Sequence, residues 1–98
     1  MEVEFGDPDL DRLETDARFT AGFAAAIVRA FRRRMQQIRA VPDERDLYHL
    51  GGARFKQLHG SRSHQHSMRL NDQWRLILEL RGKGLEKIVH VVGIEDYH

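Results

Sequence analysis

The sequence predicts an α+β domain in which an N-terminal two-helix hairpin packs on one face of an antiparallel sheet of about four to five strands. Three observations predict it. Residues 8–40 carry apolar side chains at helical spacings of three and four. Residues 54–94 instead alternate apolar and polar with period two, interrupted by short polar turns. A chain of 98 residues has room for one modest core, so hairpin and sheet must cover each other within a single domain, residues 1–98.

Composition narrows the class. There is no cysteine, so no disulfide framework and no thiolate metal site is expected, which fits a cytoplasmic protein. No apolar run approaches the length of a membrane span, and the acidic start MEVEFGDPDL lacks the apolar core of a signal peptide. The net charge of +1 conceals an asymmetry: residues 1–16 hold seven acids against Arg12, whereas residues 17–98 hold fifteen Lys/Arg against eight acids. A basic body suits a polyanionic partner, and a solvated surface is the alternative.

The elements follow in order. Glu2-Val3-Glu4-Phe5 alternates and reads as a short first strand. Asp7-Pro8 is an N-cap with proline at the first helical position, opening a helix over about 8–18 whose face is Leu10, Leu13 and Ala17. Thr20 is the next N-cap candidate, for a helix of about 21–40. Its stripe is Phe23, Ile27, Phe31, Met35 and Ile38, with Ala24, Val28 and Ala30 beside it. Arg29, Arg32, Arg33, Gln36 and Arg39 lie mainly away from the stripe, either solvated or against RNA. Pro42 closes the helix. A polar connection follows, anchored by Leu47, Tyr48 and Leu50, and Gly51-Gly52 breaks it before the sheet.

Four further strands are readable at about 54–58, 65–70, 74–80 and 87–94. Short turns between them require antiparallel neighbours. Trp74, Leu76, Leu78 and Leu80 share one face, as do His66, Met68 and Leu70. Both apolar faces meet the helices only if Leu70 lies opposite Trp74, which makes Asn71-Asp72-Gln73 a three-residue loop with an Asn or Asp in the left-handed region. That register sets Arg69 directly opposite Arg75 on the other face. Like charges opposed in a ladder are destabilising, so the pair is either held for an anion or splayed into water. In the last strand His90 shares parity with Ile88, Val92 and Ile94, which makes it a packed core histidine.

The chemistry on or near the outer face comes from Arg62, Arg69, Arg75, Lys56, His59, Tyr97 and His98. These residues form a metal-free phosphodiesterase set. RNA brings its own nucleophile, the 2′-OH. The protein has to supply a base for its proton, an acid for the leaving 5′-oxygen and cations for the phosphorane. Histidine suits the proton work and arginine the phosphate. His64-Gln65-His66 has the spacing of two metal ligands on one strand face, but no third ligand stands nearby and parity turns His66 to the core, so neither metal nor cofactor is expected.

The run L-H-G-S-R-S-H-Q-H-S-M-R-L-N-D-Q-W-R-L-I and the terminal E-D-Y-H resemble the HigB-type toxins of the RelE/ParE superfamily. The spacing of Gly60 and Trp74 matches, and the helical hairpin upstream fits. The resemblance implies two helices on one face of a twisted antiparallel sheet, and ribosome-dependent cleavage of mRNA in the ribosomal A site that arrests growth. It also implies a helix-turn-helix antitoxin that neutralises the toxin, with operator DNA contacted only through that antitoxin and no membrane involved. Asp96, Tyr97 and His98 match the family's terminal motif, whose Tyr and His belong to the active site. Arg75 matches its phosphate-contacting arginine. The family's His and Lys before the glycine stand here in reversed order, as Lys56 and His59. The expected catalytic set is therefore His98, Tyr97, His59, Lys56 and Arg75, with Arg62, Arg69 and Asp96 binding substrate. Three alternatives stay open: a same-fold toxin that poisons gyrase, a weakly active protein retained for operon control, or a plain nucleic-acid-binding module.

Overall fold

The computed structural model describes residues 1–97, with the backbone alone at Leu85, so the reading of His98 lies outside the described residues. The elements are β1 (Glu2–Phe5), α1 (Pro8–Thr15), α2 (Ala25–Ala40), α3 (Glu44–Leu47), β2 (Lys56–Gln57), β3 (His66–Arg69), β4 (Trp74–Arg81) and β5 (Ile88–Asp96), with 3-10 turns at Gly60–Arg62 and Gly84–Glu86. One five-stranded sheet runs in the order β1-β5-β4-β3-β2. The β2–β3, β3–β4 and β4–β5 pairings are antiparallel, as short turns require, but β1 lies parallel to β5. The sheet is therefore mixed. A parallel neighbour is reached only by a long crossover, and here the helices and three strands separate β1 from β5.

The α1 start follows the sequence: the Asp7 carboxylate accepts from the Asp9 amide at 2.9 Å, with proline inside the first turn. The helix stops at Thr15, leaving Ala17 exposed rather than on the buried face with Leu10 and Leu13. Thr20 does not cap α2. It caps a turn instead, its hydroxyl accepting from Gly22 and its carbonyl from Phe23. Ala21 and Gly22 sit at φ 51° and 83°, so the chain cannot enter a right-handed helix until Ala24. Within the polar connection, Asp43 accepts from the Arg45 amide at 2.8 Å and starts the single turn α3. Leu47 is fully buried there, but Tyr48, expected as an anchor, stays 53% exposed.

The core lies between α1–α2 and one face of the sheet: Leu13, Phe31, Met35 and Ile38 from the helices meet Met68, Leu76, Leu78, Val89 and Val91. Trp74 closes one end, edge-to-face with Phe23 at 5.8 Å. Burial at about 25 cal/mol per Å² makes this layer contact the principal stabilising term. Two of the arginines expected away from the stripe serve the fold rather than an open surface. Arg32 donates to the carbonyls of Leu13, Asp16 and Phe19, terminating α1. Arg39 holds Glu14 through two hydrogen bonds of 2.8 and 2.7 Å. Of the arginine cluster, Arg29 and Arg33 stand exposed, with no such task among the described residues.

The β3–β4 register is the expected one, with Arg69 opposite Arg75 and the Leu70 amide donating to the Trp74 carbonyl at 3.0 Å. The loop is closed differently from expectation. No residue of 71–73 has positive φ. The Asn71 side chain instead accepts from the amides of Gln73 and Trp74 at 2.9 and 2.7 Å, so an Asx turn replaces a left-handed residue.

The β5 parity is also corrected. Ile77 pairs with Gly93 and Leu78 with Val91, leaving Val92 as an extra residue. This β-bulge switches the strand's faces. Before it Val89 and Val91 point inward, and after it Ile94 does. Ile88 and His90 therefore face outward, and His90 is not a core residue: its Nδ1 lies 2.7 Å from the Glu4 carboxylate. Gly6 makes room for that ring, since a Cβ there would come within 2.8 Å of Nε2.

Candidate active site

The bulge that turns His90 outward also turns Gly93, Glu95 and Tyr97 to the outer face at the other end of β5. Over this face folds the β2–β3 loop. The Leu58 amide donates to the Gln65 carbonyl at 2.9 Å, and a 3-10 turn at Gly60–Arg62 closes the bend. Ser67 and Ile77 belong to the outer face by parity yet are 3% and 2% exposed. Together Leu58, Arg62, Ser67, Arg75, Ile77, Glu95, Asp96 and Tyr97 line a cleft of about 220 Å³. A larger hollow of about 550 Å³ lies at the opposite end of β5, but Glu2, Asp43, Glu44 and Glu86 line it with Lys87, an acidic wall that repels a polyanion.

Tyr97 is the centre of the smaller cleft. It is 50% exposed, with the Arg75 guanidinium 4.4 Å and the Lys56 ammonium 5.6 Å from its ring centroid. Both distances lie within cation–π range. Lys56 reaches the ring because it pairs with Ser67 in the ladder and so faces outward. Arg75 is braced from behind, its Nη1 donating to the Asn71 carbonyl at 2.5 Å and to the Trp74 carbonyl at 3.2 Å. The Tyr97 amide donates to the Gln73 carbonyl at 2.5 Å, and the Gln73 side chain donates to Asp96 at 3.1 Å. The Asn71–Gln73 turn thus fixes the arginine and the tyrosine relative to each other.

The other expected site residues are placed less favourably for phosphate. Arg62 lines the cleft, but Glu95 engages its Nη1 and Nη2 at 2.9 and 2.7 Å and Gln65 its Nε at 2.9 Å. The carboxylate raises the pKa of the guanidinium, chiefly through these hydrogen bonds. Arg69 pairs with Asp72 and does not line the cleft. That hydrogen bond holds the Asp72 carboxyl below its ordinary range. The opposed Arg69 and Arg75 are therefore not two bare cations: one meets a carboxylate, and the other meets carbonyls and an aromatic face. His59 is exposed at the start of the 3-10 turn, outside the cleft lining. So Lys56, Arg75 and Tyr97 come together, with Arg62 and Asp96 beside them. Arg69 and His59 do not join them.

Glu95 is the residue that reading the sequence missed. It stands opposite Arg75 in the ladder and grips Arg62. Its signal was hidden by Val92, because uninterrupted alternation in β5 gives no hint that the strand changes face.

Comparison with known proteins places the whole architecture. The chain matches the family model described as the RelE-like toxin of type II toxin–antitoxin system HigB over residues 3–98. It is similar in structure to a YoeB/ParE toxin from Agrobacterium tumefaciens, with a TM-score of 0.63 and 19% identity over 100% of both chains. No curated protein matches it in sequence. The hairpin on a five-stranded sheet, the outward-turned end of β5 and the family match agree, and the chain belongs to the HigB-like toxins, RelE-like toxins of type II toxin–antitoxin systems.

Proposed function

We propose that this single-domain toxin is a metal-independent endoribonuclease that cuts mRNA in the ribosomal A site and so stops translation and growth. The observation that supports this most is the outward cluster of Arg75 and Lys56 around Tyr97, fixed by the Asn71–Gln73 turn. Cleavage of RNA by its own 2′-OH needs little beyond cations at the phosphorane and groups that move two protons. Arg75 is the cation nearest the tyrosine, and its planar guanidinium suits a phosphate. Lys56 adds a second positive charge on the same ring. Tyr97 offers a hydroxyl and a surface on which a base can stack. His98, next in the chain, is assigned proton transfer, and His59 has to be carried toward the cleft by substrate or ribosome to share it.

Membership of a type II system implies an antitoxin partner. We assign that partner a helix-turn-helix domain, through which alone the complex meets operator DNA. The ribosome and mRNA place the active toxin in the cytoplasm.

The test is expression of wild type beside His98→Ala and a chain ending at Asp96. Wild type is expected to arrest growth and to cut mRNA on translating ribosomes, and both variants are expected to do neither. Equal arrest by all three would show that the site is misassigned. The pairing of Arg62 and Arg69 with carboxylates favours a second reading, a toxin of the same fold that binds without cutting or acts on gyrase. Arrest without any mapped cleavage selects that reading.

A further inference from the structure

The loop over the outer face is held there by a small set of side-chain contacts. Gln57 donates to the Ser63 carbonyl at 2.6 Å, and Gln65 reaches Glu79 at 3.5 Å. Arg62 is the centre of the set, with all three nitrogens engaged and both terminal ones on Glu95. Glu95 comes from the far side of the cleft, on β5, 33 residues along the chain. Glu95 is also the ladder partner of Arg75, so an acid lines the cleft together with two arginines where a phosphate is expected to bind. A carboxylate held bidentately by an arginine presents the same fork geometry as a phosphate.

We propose that Glu95 is a positioning residue: it holds Arg62, and with it the 58–65 loop, against the sheet and cancels the Arg62 charge, so that RNA entering the cleft meets Arg75 as its cation. The proposal rests on the nuclease reading for its effect on cleavage, but its effects on the loop and on charge stand apart from that reading. The Arg62 and Glu95 side chains are 43% and 44% exposed, so the pair is a modest latch rather than a structural keystone.

Glu95→Gln in the full chain tests it. The Leu58 amide, which closes the loop on Gln65, is expected to exchange about twofold to fivefold faster, the range a half-exposed ion pair supplies. Removal of one acid from the cleft frees one cation for phosphate. With a slope of about 0.7 per charge for single strands, a short single-stranded RNA is expected to bind about fivefold more tightly at about 0.1 M salt. Cleavage on ribosomes is expected to show a lower half-saturating toxin concentration together with a lower maximal rate. A merely structural loss would instead weaken binding and cleavage together. The exchanged pair, Arg62→Glu with Glu95→Arg, is expected to restore slow exchange at Leu58. Unchanged exchange in Glu95→Gln, weaker or unchanged RNA binding, an unchanged maximal rate in a toxin that does cleave, or fast exchange in the swapped pair would each overturn the proposal. If wild type cuts no RNA at all, the nuclease reading fails, while exchange and RNA affinity still decide whether the latch exists.

Discussion

Arg34 is 5% exposed on α2, and replacing it should unfold the molecule more readily than replacing its neighbour Arg33. Its Nε donates to the Arg69 carbonyl at 3.0 Å and its Nη1 to Gln37 at 2.9 Å, with a longer contact of 3.4 Å to Gly51. Burial, with Arg33 and Arg69 nearby, pulls its pKa below the ordinary arginine value, and the guanidinium stays charged all the same. It is retained for its hydrogen bonds. In Arg34→Ala the Arg69 carbonyl loses its donor, which costs about 1–3 kcal/mol for a buried acceptor. Loss of the packed aliphatic stem adds about 1 kcal/mol. The half-buried Gln37 recovers a partner from water, so that bond adds little. A total of about 2–4 kcal/mol corresponds to a fall in Tm of about 8–32 °C for a domain of this size. Urea unfolding followed by circular dichroism measures it, with an unchanged slope and a lower midpoint expected. Arg33→Ala, exposed on the same helix, is expected to stay within about 0.5 kcal/mol. A loss under about 0.5 kcal/mol in Arg34→Ala would refute the reasoning.

The remaining predictions are shorter. Asn71→Ala removes the side-chain acceptor for the Gln73 and Trp74 amides and is expected to cost about 1–2 kcal/mol, with Asn71→Asp keeping most of the stability in the same denaturation assay. Because that turn sets Arg75 against Tyr97, Asn71→Ala should also lower toxicity at temperatures where the chain remains folded. Burial lowers the pKa of His66 below the ordinary 6.5, and its Nδ1 has no hydrogen-bond partner among the described residues. The unfolded chain then takes up a proton before the folded chain does, so stability is full above about pH 6.5 and falls as pH drops through the window below it. His66→Phe, stacked on Phe55 in the same way, is expected to flatten that slope in urea midpoints measured between about pH 7 and 5, and an unchanged slope would remove His66 as its source. Tyr97→Ala should leave stability within about 0.5 kcal/mol, since the ring is half exposed, yet abolish growth arrest on induction. Full arrest by a stable Tyr97→Ala would take the tyrosine out of the site.

Most of the fold was legible because period and punctuation carry it. The α2 stripe of Ile27, Phe31, Met35 and Ile38 is buried as its spacing requires, and the Leu70–Trp74 pairing followed from matching two apolar faces. What escaped was local and geometric. Ala21 in the left-handed region has no sequence signature, so Thr20 looked like a helix cap when it caps a turn. The parallel placement of β1 depends on where the chain returns after the helices, and four residues cannot announce it.

Of the expected site residues, Lys56, Arg75 and Tyr97 come together while His59 and Arg69 stand apart, and the state of charge of the cleft was less legible still. Counting arginines on the outer face suggested an open, cationic pocket for an anion. Each cation, however, has a choice of partners that only the folded register decides. The bulge at Val92 brings Glu95 outward to take Arg62, and the Asn71 turn leaves Asp72 within reach of Arg69. Had β5 run without a bulge, Glu95 and Tyr97 would share a face with Val89 and Val91, burying the acid and removing the aromatic from the cleft. One extra residue therefore does two things at once. It keeps Val89, Val91 and Ile94 on the core under the helices, and it delivers Tyr97 to Arg75 and Lys56 on the opposite surface. The candidate site depends on that switch of faces as much as on the residues that line it.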